Sequence, residues 1–387
     1  MHRKRVLTKL AVYVPEEIVT EILLKLPVRS LMRCNCVSKT WRALIRNLSI
    51  GHKHLNRNNN RNNSVFLIRQ IEDNRFSNES EKYHELLLTH KCDKDDNPGD
   101  YHHYYNNFSL LVLSSCLPPD EPQLQLYGSC NGILCISKWV RRPYLYNPVT
   151  RECLKLPDSS ANMNGSWDRS LMGFGFDALT NDYKVMSCLD VNALINNPIR
   201  VFEVTLTLGK LGPAAGVFVN GSCHWVGEYR LTNFILKFDF QTEIFGIIKF
   251  PSSKEASGTG GRNSSISVLG DSLALIIEKF MRGFFEVWVM THQDGEGPLS
   301  WSKRCTVRVG HNFSTVLTCW DNDWILLRSY CGRHAKSYFL GDGDDHGDGD
   351  GDSATGDMNN WGFNVGRCDS LSAVVFQPTL VSLRHTN

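Results

Sequence analysis

At 387 residues, with a hydrophobic content of 42%, the chain has room for one small module and one large globular domain. A formal charge of +2 argues against a nucleic-acid coat or a polybasic membrane anchor. No apolar run approaches the roughly 18 residues of a membrane span, and the basic start MHRKRVLTKL lacks the apolar stretch of a secretory signal, so the expected location is the cytoplasm, with the nucleus as the alternative.

Residues 14–45 read VPEEIVTEILLKLPVRSLMRCNCVSKTWRALI and parse into three short helices. The first opens at Pro15, and Glu16 and Glu17 complement the positive end of its dipole. Its apolar residues Ile18, Val19, Ile22, Leu23, Leu24 and Leu26 cover more than one stripe, which predicts burial on two sides. Pro27 stops it. Ser30 is expected to cap a second helix bearing Leu31, Met32, Cys34 and Val37, and Ser38 a third bearing Trp41, Leu44, Ile45 and Leu48. A unit of about 35 residues is too small to stabilise itself, so part of its apolar surface is expected to dock another protein.

In these residues the chain resembles the F-box, the segment that plugs into a Skp-type adaptor of a cullin ubiquitin ligase. The matching positions are Pro15, Glu16, Ile18, Ile22, Leu23, Leu26, Pro27, Val28, Ser30, Leu31, Arg33, Val37, Ser38, Lys39 and Trp41. Val14 stands where Leu is usual and Asn35 where a larger residue is common; neither removes a main anchor. The resemblance implies adaptor binding through Pro15, Ile18, Ile22, Leu23, Leu26, Pro27, Ser30, Leu31, Val37 and Trp41, with Leu23, Leu26, Pro27, Leu31 and Trp41 inserted into the partner. Two rivals are a generic bundle packed on the rest of the chain and a helix-turn-helix DNA reader. Against the second, Arg29, Arg33, Lys39, Arg42 and Arg46 are scattered, and the third helix leads with Trp41 and aliphatics instead of base-reading side chains. Nucleic acid is therefore not an expected partner.

The helical module is assigned to residues 10–50 and a linker to 51–64, centred on the wholly polar NRNNNRNN at 56–63. From residue 65 to 387 short apolar runs broken by Gly, Asn and Asp replace the helical period, which is a β signature. Turn dipeptides recur at Asn131-Gly132, Asn181-Asp182, Asn220-Gly221, Gly270-Asp271 and Asp321-Asn322, at intervals of 50, 39, 50 and 51 residues. Most repeats add a second hairpin, as in YLYNPVTRECLKLP and ILKFDFQTEIFGIIKFP, and two hairpins per 40–50 residues is the pattern of four-stranded propeller blades. The expected fold is mainly β with a small α module: a kelch-like propeller of about six blades, the sixth assembled from strands near Val65–Ile71 or Leu110–Leu113 with AVVFQPTLVSL (373–383) from the other end. An irregular β-sandwich is the alternative.

The stretches YGSCNGILCI, LYNPVTRECLKLP, GFGFDALTNDYKVM, VNGSCHWVG, ILKFDFQTEIF and EVWVM with SWSKRCTV, in order over 127–307, resemble the F-box-associated domain of large plant families. The segment HKHLNRNNN, the polar insert before YGSCNG and the ending TLVSL are most similar to the S-locus F-box group, which acts in pollen self-incompatibility. One departure is LGKLGPAAG after VFEVTL (201–206), where the family has a Ser-Trp strand; that blade is expected to be shortened.

Candidate chemical sites have plainer readings. Asp177, Asp182, Asp239, Asp271 and Asp321 suit the paired carboxylates of a glycosidase, but each sits in a turn, where Asp caps backbone. Cys223-His224 suggests a nucleophile and base, yet neighbours in a strand point to opposite faces. Thirteen cysteines without a C-x-x-C pair read as reduced thiols, His102-His103 has no partner at ligand spacing, and Cys34-Asn-Cys36 lies in a helical pattern, so no metal is expected. The tract GDGDDHGDGDGD (341–352) lacks the closing Glu and flanking helices of a calcium loop; it reads first as a disordered or splayed loop, whose functional use would be electrostatic attraction of a basic partner. The implied function is substrate recognition in a Skp–cullin–F-box ligase, with no catalysis and no cofactor. A target, in the S-locus case a basic ribonuclease, is held by rim loops among the polar inserts at 72–107, 158–169, 252–265 and 341–360. A glycan or small-molecule module is the second reading, supported if Trp and Tyr cluster on the rim.

Overall fold

The computed structural model describes residues 14–57, 65–71, 85–91, 109–111, 125–137, 143–157, 171–188, 214–229, 232–251, 264–279, 284–292, 299–309, 313–320, 323–329, 334–340, 361–364 and 371–383. Among them the N-terminal part holds four helices, α1 (Glu16–Leu24), α2 (Val28–Cys34), α3 (Lys39–Ile45) and α4 (Leu48–Arg57).

Pro15 and Pro27, both extended with ψ near 144° and 148°, precede α1 and α2 and leave no backbone donor to satisfy at the boundary. Ser30 therefore lies inside α2 and does not cap it. Ser38 does cap α3: its hydroxyl accepts from the Trp41 amide at 3.1 Å. The expected third helix ends early, and Leu48 opens α4 instead. Positions 51–57, assigned to a linker from their polarity, are helical because Ile50, Gly51, His54 and Leu55 all face inward. His54 Nε2 lies 2.8 Å from the Leu26 carbonyl, which ties α4 to the end of α1.

The β region forms six sheets among the described residues, five of them four-stranded. One is β4 (Gln125–Cys130), β5 (Ile133–Ser137), β6 (Pro143–Asn147) and β7 (Glu152–Lys155) in meander order. The same order recurs in β11 (Val217–Val219) to β14 (Phe245–Lys249) through β12 (Ser222–Tyr229) and β13 (Thr232–Asp239). It recurs again in β15 (Ser264–Leu269), β16 (Ser272–Lys279), β17 (Phe284–His292) and β18 (Leu299–Arg308), and in β19 (Phe313–Trp320), β20 (Trp324–Ser329), β21 (His334–Phe339) and β22 (Trp361–Asn364). The last sheet joins the two ends of the domain. Strand β23 (Leu371–Phe376) pairs antiparallel with β1 (Val65–Ile71), followed by β2 (Glu85–Lys91) and β3 (Ser109–Leu111).

Contacts between the leading strands run β4 to β8 (Leu171–Asp177), β8 to β11 and β12, β11 to β15, β15 to β19, β19 to β23, and β23 back to β4. The sheets therefore close a ring, and the sandwich alternative is set aside. Closure of the last blade by strands from both ends of the domain fastens the ring, and what is left of the sheet edges is the outer strand of each blade.

In the blade where the sequence departs from the repeat, the described residues form β8, β9 (Asp182–Cys188) and a two-residue parallel strand β10 (Ala214–Ala215) on β8; residues 189–213 lie outside them. The Gly216 amide donates to the Met172 carbonyl at 3.0 Å, so the chain enters the next blade directly along β8.

The turns read from sequence link each leading strand to the second strand of its blade. Asn131-Gly132 and Asn220-Gly221 have φ of 50° and 75°, and of 49° and 74°, the paired left-handed geometry that Asn-Gly favours. Gly270 takes φ 68° before Asp271, and Asn181 takes φ 53°. Asp321-Asn322 lies outside the described residues. Because each blade is a meander, these turns lie at one end of the ring.

Candidate functional site

The helical module is apolar on two sides, and the structure uses only one of them. Leu23, Val28, Leu31 and Ile45 form a buried cluster into which Val19, Leu26, Met32, Cys34, Trp41 and Leu44 pack partly. Leu380 from beyond β23 completes that cluster, with Val149 from the β6–β7 turn at its margin. The module thus sits on the propeller at the end where the Asn131-Gly132 turn lies.

The other side is bare. Ile18 and Ile22 lie four residues apart on α1 and are 52 and 50% exposed; Val14, ahead of the helix, is 44% exposed and Val37, after α2, 63%. Pro15 and Pro27 are also exposed, while Leu26, Ser30 and Trp41 are half-buried. Leu23 and Leu31 are two of the five residues expected to insert into a partner. Both have 0% exposure and offer no surface to a partner. Helical periodicity identifies two apolar faces but not which one the chain itself covers.

The charged rim of this face is solvated. Arg57 at the end of α4 pairs with Glu21 of α1 at 2.8 Å, and the guanidinium holds the Glu21 carboxyl below its usual range. Arg42 Nε donates to the Asn35 carbonyl at 3.1 Å and so braces the α2–α3 junction.

In the propeller, the residues that invited a catalytic reading have structural partners. Asp177 accepts from the Leu179 amide and the Thr180 hydroxyl, both at 2.9 Å, and Lys184 lies 3.0 Å away; chiefly that ammonium keeps the Asp177 carboxyl below its usual range. Asp239 accepts from the amides of Thr242 and Gln241, which lower its pKa in the same way. Asp182 accepts from the Tyr183 amide at 2.7 Å, and the Asp271 carbonyl accepts from Asn220. Cys223 and His224 diverge: the thiol donates to the Phe174 carbonyl while the imidazole Nδ1 faces the Val217 carbonyl. Burial pushes the Cys223 thiol up and the His224 imidazole down to about 4, the reverse of what a nucleophile and its base require. Among the described residues no group of three or more His, Cys, Asp or Glu is placed to share a cation. His102-His103 and the Asp/Gly tract at 341–352 lie outside the described residues, as do most of the polar inserts.

The profile of the F-box associated beta propeller domain matches residues 103–343, and that of the F-box domain matches residues 14–53. The chain belongs to the F-box-associated β-propeller family. It is 25% identical over 335 residues to F-box protein CPR1 of Arabidopsis thaliana, across 76% of this chain and 73% of that one. It is 24% identical over 333 residues to F-box/kelch-repeat protein At3g23880 of the same plant, across 81% and 84% of the two chains. Among solved structures, TolB from Acinetobacter baumannii aligns with a TM-score of 0.41 at 8% identity, over 88% of this chain and 73% of that one.

Within the F-box, the residue that sequence reasoning overlooked is Leu380. It belongs to the TLVSL ending, which the sequence assigns to the sixth blade and to a subgroup signature but not to the helical module. The signal was present: alternate apolar residues after the last strand point to further packing. No helix among the described residues is long and apolar enough to cross a membrane.

Proposed function

We propose that this chain is the substrate-recognition subunit of a Skp–cullin–F-box ubiquitin ligase, docking a Skp-type adaptor with its F-box and a target with its propeller. The observation that carries this reading is the bare pair Ile18 and Ile22 on α1, with exposed Val14 ahead of it and exposed Val37 after α2, left over after the buried cluster of the same helices is completed by the chain itself. Water-exposed aliphatics arranged at helical spacing gain most by burial against another subunit, on the order of 1–3 kcal/mol for each fully covered side chain.

Leu23 and Leu31 lie in the buried cluster of the same module, Leu26 and Trp41 pack partly into it, and Pro27 is exposed. The mechanism is proximity: a target lysine held near a charged ubiquitin carrier reacts at raised effective concentration, so no residue of this chain performs covalent chemistry. Affinity capture from source tissue tests this. The parent chain should recover adaptor and cullin, and the double variant Ile18→Asp/Ile22→Asp should recover neither; equal recovery by both would refute the docking face.

The S-locus placement and a ribonuclease target are the narrower form of this reading; the HKHLNRNNN segment, the polar insert before YGSCNG and the ending TLVSL support the first, and the acidic tract the second. Replacing the Asp of 341–352 with Asn should then weaken capture of a basic ribonuclease. The glycan-module reading has no comparable support: the large apolar side chains exposed among the described residues are all aliphatic, on the propeller Leu179, Ile244, Ile247 and Leu299.

A further inference from the structure

We propose that residues Thr379–Leu383 form a strap that holds the F-box in one orientation on the propeller, with Asn147 as its positioning residue. This rests on the ligase reading above and adds to it how the adaptor end and the target end are kept in register.

Asn147 closes β6 and is 0% exposed, as is Thr379. Its amide nitrogen donates to two strap carbonyls, Thr379 at 3.2 Å and Val381 at 2.7 Å. Its amide oxygen meanwhile accepts from Val149 and Thr150, shaping the β6–β7 turn on which the F-box rests. The strap is stiffened from within, since the Thr379 hydroxyl accepts from the Val381 amide at 3.2 Å. At its far end Glu152 of β7 accepts from the Leu383 amide at 2.9 Å.

The strap's side chains then divide between the two bodies. Leu380 enters the F-box cluster with Leu23, Val28, Leu31 and Ile45. Val381 and Leu383 pack with Leu55 of α4 and with Tyr127, Ile133 and Leu145 of the propeller. Gly51 of α4 lies so close that an added Cβ would sit 3.4 Å from the Leu380 backbone. The segment that follows the ring-closing strand is thus the one on which the F-box is seated. An F-box that swivels must either leave the strap and expose Leu380, or carry the strap with it and break the Asn147 hydrogen bonds. A rigid joint confines a bound target to a small volume near the ubiquitin carrier, whereas a loose one dilutes it.

Asn147→Asp separates the two roles of this side chain, because a carboxylate still accepts from Val149 and Thr150 but donates nothing to the strap. The test is amide hydrogen exchange on the full chain bound to a purified Skp-type adaptor, with adaptor affinity measured in parallel. Asn147→Asp should speed exchange about tenfold or more in residues 48–57 and 379–383, with β15–β17 and adaptor affinity unchanged. Thr379→Val, which keeps shape and loses the internal hydrogen bond, should change the same two segments to a smaller extent. Faster exchange throughout the propeller would make Asn147 a mere fold residue, and unchanged protection of 48–57 in both variants would overturn the strap. Failure of the parent chain to bind the adaptor would instead refute the ligase reading and leave the strap standing.

Discussion

Ile22 and Leu23 are neighbours on α1 and opposites in environment: the first is 50% exposed and the second 0%. One helix thus carries a packed face and a water-exposed one, and the boundary between them falls between consecutive residues. Truncating each separates the roles. Leu23→Ala should destabilise the chain by about 2–5 kcal/mol through the cavity it leaves. Ile22→Ala should change stability by no more than about 0.5 kcal/mol. Denaturant unfolding followed by tryptophan fluorescence distinguishes the two.

Gly132 and Gly221 share one backbone conformation, at φ 75° and 74°, yet differ in what surrounds them. A Cβ on Gly221 meets nothing within 4 Å, whereas one on Gly132 would collide with the Gln377 carbonyl and the Thr379 side chain. Gly221→Ala should cost about 1–2 kcal/mol, the ordinary strain of a left-handed alanine. Gly132→Ala should cost clearly more and should shift the strap, read as a larger drop in thermal midpoint together with faster exchange at 379–383.

Ser38→Ala removes the only side-chain cap hydrogen bond described at the helix starts of the F-box, and should cost about 1 kcal/mol. Ser38→Asp retains an acceptor for the Trp41 amide and should restore most of that loss. Thermal melts of the three proteins side by side give the comparison.

His224 makes stability depend on pH. Burial holds its folded pKa near 4 against an ordinary 6.5, so the unfolded chain binds the extra proton first. The contribution of neutral His224 is complete above about pH 6.5 and is lost as pH falls from there toward 4. Two to three pKa units correspond to a few kcal/mol, on the order of 1.4 per unit. His224→Gln, whose amide can still donate to the Val217 carbonyl, should flatten the dependence between pH 6.5 and 4. Denaturation midpoints at pH 7, 5.5 and 4.5 measure it; a slope as steep as that of the parent chain would mean that another group controls this window.

Much of the fold was legible because local chemistry and tertiary structure agree here. Asn-Gly at 131–132 and 220–221 admits few alternatives to a tight hairpin, and Ser38 before Lys39-Thr40-Trp41 is a cap wherever that helix packs. Other features were hidden for physical reasons. Pro27 supplies the start of α2, so the downstream Ser30 lost the cap position that its residue type favours. The helix at 51–57 is held by Leu380 and Val381, more than three hundred residues away in sequence, and no local pattern announces that contact. Strand β10 pairs in parallel through backbone alone, which leaves no periodicity to read. Of the ten residues that the F-box resemblance marks for adaptor binding, only packing separates exposed Ile18 and Ile22 from buried Leu23 and Leu31.

The most direct measurement is the dissociation constant of the full chain for a purified Skp-type adaptor. Ile18→Asp and Ile22→Asp should each weaken it by at least about thirtyfold while leaving the melting temperature unchanged, and Leu179→Asp, at a distant exposed leucine, should leave the affinity as it was. Undiminished affinity in both Ile variants would contradict the account, because the bare pair on α1 would then have some other use.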